Sequence, residues 1–318
     1  MSSTPLNETQ FRHPLEHPIF VVSVVFNLML MVAAIILANA GTDWLAQHPF
    51  IHHNIKTIKM LATAAVLAPP AIVFIRNMRR ASVLGNSVLL SRDQLPEIFE
   101  LLEQHCKKLG DMPLPELYLT DRAVPAPSQA FSTWRQDSIA LNARFIERKP
   151  AKSRDVLSFM IGRELGRLRL GHTKWWYEVL LAYMDKIPYA RNPLTQVQTL
   201  SHDRYGAYLE PNALPGLLIL ASGRRLISQV RPETYLDNVR PYGGIWAVIS
   251  DLPRKQPHIS YRVAALVKAD LLHLEPGKPW MSTGEEKEKK EKKKKDKDKK
   301  KNKQTVDVET SEQLAAPQ

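Results

Sequence analysis

The residues that could do chemistry are concentrated in two stretches, one around Glu164 and one around Asp203. The first reads I-G-R-E-L-G-R-L-R-L-G-H from Ile161 to His172, and the second begins with His202 and Asp203. Carboxylates and imidazoles act as general acids, general bases and metal ligands. Guanidinium groups stay protonated and have no lone pair to give. Acid–base or metal chemistry is therefore the kind to consider, although arginines lie among the candidate groups.

A helix must position the first stretch. Apolar residues recur at helical spacing from Val156 to Leu168, with Ser153 as a suitable N-cap and Gly171 as a stop signal. Arg163 and Arg167 are four residues apart on an apolar face, which directs both toward the protein. Like charges at this spacing repel by a few tenths of a kcal/mol, so each arginine is expected to find an anion.

The surrounding domain is predicted to span residues 82–275. Apolar spacing predicts a helix over Gln94–Leu109 with Cys106 as a core residue. Strand signals follow at Glu116–Leu119 and Ser138–Leu141, and a turn connects the second to Phe131–Trp134. The domain is therefore predicted to be α+β and mainly helical, with a small sheet.

Two apolar stretches precede this domain, after a leader of residues 1–18. Ile19–Ala40 is 22 residues without a formal charge, which is long enough for a bilayer core. Met60–Ile75 adds 16 uncharged residues and includes Pro69 and Pro70. A transmembrane helical hairpin over residues 19–80, with helices at about 19–40 and 59–75, is the prediction; a buried core helix is the alternative for the second stretch.

Charge sets the expected orientation of this hairpin. Arg76, Arg79 and Arg80 follow the second stretch, whereas the connecting loop carries only Asp43 and Lys56. By the positive-inside rule the arginines stay in the cytoplasm. We therefore expect a multi-pass protein of the cell (inner) membrane, with the domain and both termini in the cytoplasm.

The C-terminal part, residues 276–318, has a different composition. Glu285–Lys303 contains 12 Lys and 6 Asp+Glu, so its net charge is 12 − 6 = +6. This value is half of the chain's net charge of +12. Such a run is predicted to be a disordered, solvated tail. It could contact anionic lipid or nucleic acid, but the chain has no nucleic-acid-binding signature.

The composition of the whole chain excludes two classes of protein. Its ordinary apolar content excludes a wholly disordered protein, and its single cysteine excludes a disulfide scaffold.

Five sequence blocks around the R-E-L-G-R stretch at Arg163 resemble those of a known family. They are, in chain order, Pro96-Glu97, Ser128-Gln129-Ala130-Phe131, Ser138-Ile139-Ala140-Leu141, the H-D-R-Y-G-A block that begins at His202, and the ending formed by Pro257 and Arg262-Val263-Ala264-Ala265-Leu266. Order and spacing resemble those of the HtpX-like membrane zinc metallopeptidases, relatives of the CAAX prenyl protease, whose active helix reads H-E-L-G-H. The resemblance implies a zincin-like peptidase domain after the hairpin.

The resemblance also implies site residues. In that family two helix histidines and a later glutamate bind zinc, and the glutamate between the histidines is the general base. The ligand positions correspond here to Arg163, Arg167 and Thr199, the base to Glu164, and a supporting acid to Asp203. Only the two acids are retained, so the expected protein is a catalytically inactive pseudopeptidase without a metal cofactor. Asp203 and Glu164 are then the expected counter-ions of the two arginines.

Two alternatives stay open. An active zinc metalloendopeptidase could use an atypical site built from His172, His202 and Asp203 or Glu164, although nothing local brings the histidines together and satisfied or exposed histidines are the plainer interpretation. The pseudopeptidase would bind polypeptides or partner proteins, in membrane-protein quality control.

An aromatic cluster follows the R-E-L-G-R stretch. Trp175-Trp176-Tyr177 indicates an interfacial membrane contact, with a core patch as the alternative.

Overall fold

The computed structural model describes residues 8–47, 52–121, 128–133, 135–146, 154–226, 229–230, 234–235 and 245–272. These residues form eleven helices: α1 Glu8–Phe11, α2 Glu16–Asn39, α3 Thr42–Ala46, α4 Ile55–Leu84, α5 Pro96–Lys108, α6 Arg154–Arg169, α7 Trp175–Leu180, α8 Asn192–Leu209, α9 Leu214–Leu226, α10 Ile245–Asp251 and α11 Ile259–Lys268. Four strands are β1 Val88–Leu89, β2 Glu116–Thr120, β3 Ser128–Ser132 and β4 Asp137–Asn142. The chain is thus mostly helical with a small mixed sheet.

Helices α2 and α4 are long and apolar enough to cross a membrane. Most of their surface is exposed, since only 17% and 6% of their most apolar windows are buried within the protein. Both are longer than the apolar stretches alone predicted: α2 begins at Glu16, and α4 is a continuous helix of 30 residues. At the added polar ends, Glu16 of α2 and Arg76 and Arg80 of α4 contact the domain.

Helix α4 also connects directly with the sheet. Its Arg76 donates hydrogen bonds to the Ser132 and Thr173 carbonyls, and Arg80 donates to Ser138 Oγ at 3.1 Å. Two of the arginines that predicted the membrane orientation therefore also hold strands β3 and β4 to the apolar helix. A charge pattern cannot distinguish these two roles, because both place arginine at a helix end.

Pro69 and Pro70 lie inside α4 without ending it. Since Pro69 has no N–H group, the Ala65 carbonyl lacks its normal helical donor. The Tyr183 hydroxyl donates to this carbonyl at 3.0 Å, and the Tyr183 N–H donates to Asn27 Oδ1 of α2 at 2.8 Å. One residue of the domain thus satisfies polar groups on both apolar helices.

This contact makes a testable prediction. Tyr183→Phe should destabilise the protein by about 1–3 kcal/mol, because the Ala65 carbonyl is left without a donor. In a Pro69→Ala background the new N–H can pair with Ala65, so the same substitution should cost much less. Thermal melts of the four proteins of this cycle in detergent measure the coupling. Equal losses in both backgrounds would contradict the role given to the hydroxyl.

The sheet has the strand order β1-β2-β4-β3. Strands β2 and β4 are parallel, with Leu117 opposite Ile139, whereas β3 and β4 form the expected antiparallel hairpin. Leu117 and Ile139 are fully buried beneath α5 and α6 in one apolar core, which also contains Cys106. The two-residue strand β1 was not predicted, because two exposed residues give no alternation pattern.

Helices α6 and α8 cross at very short range. An added Cβ at Gly166 would lie 2.5 Å from Tyr205 Cβ, and one at Gly206 would lie 2.8 Å from Arg163 Cγ. These approaches are closer than any side chain allows. The glycines therefore bring the polar residues of α6 and α8 into direct contact.

The structure describes part of the predicted leader but not the predicted tail. Part of the predicted leader is helix α1, whose Phe11 is buried with its ring centroid 4.8 Å from that of Tyr205. The leader thus packs on the domain rather than only preceding the hairpin. Residues 273–318, including the lysine-rich tail, and the predicted N-cap Ser153 lie outside the described residues.

Candidate functional site

A buried carboxylate lies where α6, α8 and α11 meet. Asp203 is fully buried, and its Oδ1 lies 2.6 Å from Arg163 Nε. Arg262 donates through Nε to Oδ2 at 2.6 Å and through Nη2 to Oδ1 at 2.7 Å. This bidentate geometry is the strongest form of arginine–carboxylate pairing. Asp203 therefore holds two guanidinium groups from two different helices.

Glu164 is occupied by a second set of partners. Its Oε1 accepts a hydrogen bond of 2.9 Å from Ser128 Oγ of β3, and its Oε2 lies 3.3 Å from Arg167 Nη1. Glu164 is 2% exposed, whereas the Arg167 side chain is 26% exposed. The ion pairs expected from the sequence are thus present: Arg163 with Asp203, and Arg167 with Glu164.

The cluster as a whole is positively charged. Three arginines, at positions 163, 167 and 262, face two carboxylates. Burial and the nearby arginines, with Arg167 the strongest, hold the pKa of His202 well below its usual value. A neutral imidazole beside the cluster avoids adding another positive charge.

These groups do not fit a zinc ion. Arg163 and Arg167 have no lone pair to offer, and their positive charge repels a cation. Thr199, the third position implied by the resemblance, donates its hydroxyl to the Thr195 carbonyl at 2.8 Å. A neutral hydroxyl bonded to its own helix is not a zinc ligand. Within the described ranges, no three His, Cys, Asp or Glu side chains are grouped to hold a metal.

The two histidines do come together, although nothing local in the sequence brings them close. His172 Nδ1 lies 2.8 Å from His202 Nε2, and His172 Nε2 lies 3.0 Å from Glu16 Oε1. Contacts between distant segments hold them, and α2 supplies a further partner, Glu16, from near the start of the chain. The sequence reasoning did allow for satisfied histidines, and both are buried and hydrogen-bonded. This set of Glu16, His172 and His202 is called the imidazole chain below.

The order of bonds in the imidazole chain assigns its protons. An ionised Glu16 only accepts hydrogen bonds, so a neutral His172 carries its proton on Nε2. His172 Nδ1 then accepts, and His202 must donate from Nε2. Burial lowers the pKa of His172 although Glu16 opposes this shift. Both rings are therefore neutral, and each donates one N–H along the chain.

Ser201 completes the attachment of α2 to the domain. Its hydroxyl donates to Glu16 Oε2 and accepts the His13 N–H at 2.9 Å. Arg12 Nη1 lies 3.4 Å from Glu16 Oε1. Glu16, which is 1% exposed, is thus a buried carboxylate with partners from the leader and from α8.

Sequence reasoning missed Glu16 and the pairing of Arg262 with Asp203. A signal for Glu16 was present, because Glu16, Phe20, Ser23 and Asn27 follow spacings of four, three and four residues. Glu16, Ser23 and Asn27 are all buried in an otherwise exposed helix. Polar residues on one face of an apolar helix indicate a face that packs on protein. The partner of Arg262 had no such local signal.

Comparison with known proteins adds no relative. No family model, no curated protein and no solved structure matches the chain.

Proposed function

We propose that this chain is a membrane-anchored protein with a zincin-like peptidase domain that has lost catalysis and binds polypeptide segments or partner proteins. The observation that carries the proposal is the ion-pair cluster. Arg163 and Arg167 occupy the two helix positions where the resemblance implies zinc-binding histidines, and each pairs with a carboxylate. A cluster of this kind fills the space with fixed charges, so it is a structural replacement for a metal centre.

The surroundings of Glu164 support the loss of catalysis. A general base needs a free carboxylate oxygen within hydrogen-bond reach of the water that it deprotonates. Glu164 Oε1 accepts a hydrogen bond from Ser128 and Glu164 Oε2 faces Arg167, so both oxygens face protein groups. Water without a metal also keeps a pKa far above the value of about 7 that it has on zinc. Glu164 is thus better suited to holding β3 and Arg167 in place.

The proposed binding surface is the edge of the sheet at β3, on the side away from β4. This strand ends the sheet order, and its Ser128 contacts Glu164. Edge strands can add an extended segment of another chain through main-chain hydrogen bonds. Within β3 only Gln129 is partly exposed, which makes it the position for a crosslinker. A role in membrane-protein quality control is consistent with such binding.

The proposed location is the cell membrane, with α2 and α4 crossing it. Their lengths and apolar, exposed surfaces support this assignment. Arg76 and Arg80 lie on the domain side of α4 and contact the domain. By the positive-inside rule, the domain and both termini are assigned to the cytoplasm.

Zinc analysis combined with a casein-cleavage assay tests the proposal. The purified full-length protein should contain no stoichiometric zinc and should not cleave casein. The triple variant Arg163→His, Arg167→His, Thr199→Glu recreates the implied ligand set and should bind zinc. Arg163→His alone is the control, since one imidazole is a weak site. Chelator-sensitive cleavage by the wild type that is lost in Glu164→Gln would instead establish the active-enzyme alternative.

A further inference from the structure

Residues 175–191, here called the wedge, contact α2 and α4 well inside their apolar segments. Tyr177 and Leu181 of the wedge pack with Leu194 and Val197 of α8 and with Ile19, Phe20 and Val24 of α2. Tyr183 reaches further along the helices, to Asn27 and Ala65. The domain therefore packs along the sides of the apolar helices and not only against their ends.

The depth of this contact follows from helix geometry. A bilayer core of about 30 Å needs about 20 helical residues, and 20 residues counted back from the end of α2 at Asn39 reach Phe20. Asn27 is seven residues beyond Phe20, which places it about 10 Å into the core at 1.5 Å per residue. Tyr183 is hydrogen-bonded to Asn27, so the wedge lies at the same depth.

From this geometry we infer that the wedge is inserted into the leaflet on the domain side and contacts lipid acyl chains. The inference rests on the proposed membrane span of α2 and α4 and adds a third protein element to that leaflet. The outward surface of the wedge fits this partner: Trp175 is 49% exposed, Trp176 is 43% exposed, Ile187 is 37% exposed and Tyr189 is 61% exposed. Tryptophan and tyrosine favour the boundary between headgroups and acyl chains.

The charges of the wedge are arranged for a medium of low polarity. Its four formal charges, from Glu178, Asp185, Lys186 and Arg191, sum to zero. Arg191 Nη1 lies 3.5 Å from Glu178 Oε2 and also pairs with Asp185. Lys186 is exposed, and its long side chain can extend toward the headgroups. Paired and flexible charges reduce the cost of insertion.

The backbone N–H of Tyr183, the wedge residue that reaches furthest along the apolar helices, has an acceptor. The N–H of Tyr183 would be costly in hydrocarbon without an acceptor, and Asn27 Oδ1 accepts it. The Ala65 carbonyl, which lacks a helical donor because Pro69 has no N–H group, accepts a hydrogen bond from the Tyr183 hydroxyl. Non-helical backbone is tolerated at membrane depth when it packs on protein in this way. Asn27 of α2 and the Ala65 carbonyl of α4 thus each pair with Tyr183 of the wedge.

Depth measurement with single labelled cysteines tests the inference in the full-length protein. Burial raises the pKa of Cys106 to about 11, so the native thiol should not react with a nitrobenzoxadiazole label. The label is placed at Ile187→Cys in the wedge, at Met29→Cys in α2 and at Glu100→Cys in α5, all exposed positions. The protein is reconstituted in phosphatidylcholine vesicles with or without lipids brominated on their acyl chains.

The expected result is strong quenching by brominated lipid at residues 29 and 187 and none at residue 100. Quenching at residue 29 but not at residue 187 would overturn the inserted wedge and leave the membrane span intact. No quenching at residue 29 would overturn both. Quenching at all three positions would show that the domain itself lies in lipid, which also contradicts a specific wedge.

Discussion

Asp203→Asn is expected to destabilise the folded domain by about 3–5 kcal/mol. The carboxylate is fully buried and holds Arg163 and Arg262. The amide keeps the shape of the side chain but removes its charge, so two guanidinium groups are left without a counter-ion. Since 1 kcal/mol corresponds to a change in Tm of about 2–4 °C for a protein of this size, the Tm in detergent should fall by roughly 6–20 °C.

A matched substitution on the surface separates this effect from a general loss of charge. Asp121 is 81% exposed and lies 3.5 Å from Arg144 Nε. Asp121→Asn should therefore change the free energy of unfolding by about 0–1 kcal/mol. Adding Arg163→Met to Asp203→Asn removes one of the unpaired buried charges and should restore part of the lost stability. If Asp203→Asn melted together with the Asp121→Asn control, the cluster would not support the core.

Stability is also expected to fall as the pH is lowered from about 6.5 to about 5. Three histidines, at positions 105, 172 and 202, are buried. Burial is the largest cause of the lowered pKa of each, and it brings the pKa of His105 to about 4. The unfolded chain binds protons at these positions below its ordinary histidine pKa, whereas the folded protein does not.

The sign and size of this change in stability follow from the difference in bound protons between the unfolded and folded states. Because the unfolded state takes up more protons, acid favours unfolding, and each histidine contributes a loss of up to about 1.4 kcal/mol per pH unit. The loss begins near pH 6.5 and, for His105, ends near its folded pKa of about 4. Glu210 changes the stability in the opposite direction, because burial raises its pKa. The folded protein therefore binds a proton at this position more readily than the unfolded chain does.

Replacing one titrating group tests this assignment. His105→Leu removes the ring and its 2.9 Å hydrogen bond to Ser158 Oγ, so some stability is lost at pH 7.5. The further loss between pH 7.5 and pH 5 should be smaller than in the wild type. His17 serves as the control, because it is exposed and His17→Gln should leave the pH profile unchanged. Parallel profiles of His105→Leu and the wild type would contradict a neutral, buried His105.

The sequence predicted those elements whose signals are local. Apolar spacing identified α5 and α6, and alternation identified β2 and β4, because these patterns depend on neighbours along the chain. The full length of α4, Ile55–Leu84, was not predicted, since the prediction followed only the uncharged stretch and ended it before the arginines. In the protein, Tyr183 supplies the bond that Pro69 removes, and strands β3 and β4 hold Arg76 and Arg80.

The candidate site was predictable to the same extent. Arg163 and Arg167 required anions, and Glu164 and Asp203 were the acids in the motif blocks, so both pairs could be inferred. The bidentate contact of Arg262 and the imidazole chain could not, because they depend on how distant elements pack. Glu16 is 156 residues from His172 in the chain, and nothing in either neighbourhood specifies the other.

The separation of Glu16 from its partners has a consequence for the order of biogenesis. Ser201 follows Glu16 by 185 residues, which is about 10–40 s of synthesis at 5–20 residues per second. During that interval α2 has left the ribosome, but two residues that bind Glu16, His172 and Ser201, have not yet both been synthesised. Until then the Glu16 carboxylate lacks at least one of these two hydrogen bonds. The pairing of Glu16 with His172 and Ser201 is therefore a late event, which requires that the chain has been synthesised as far as α8.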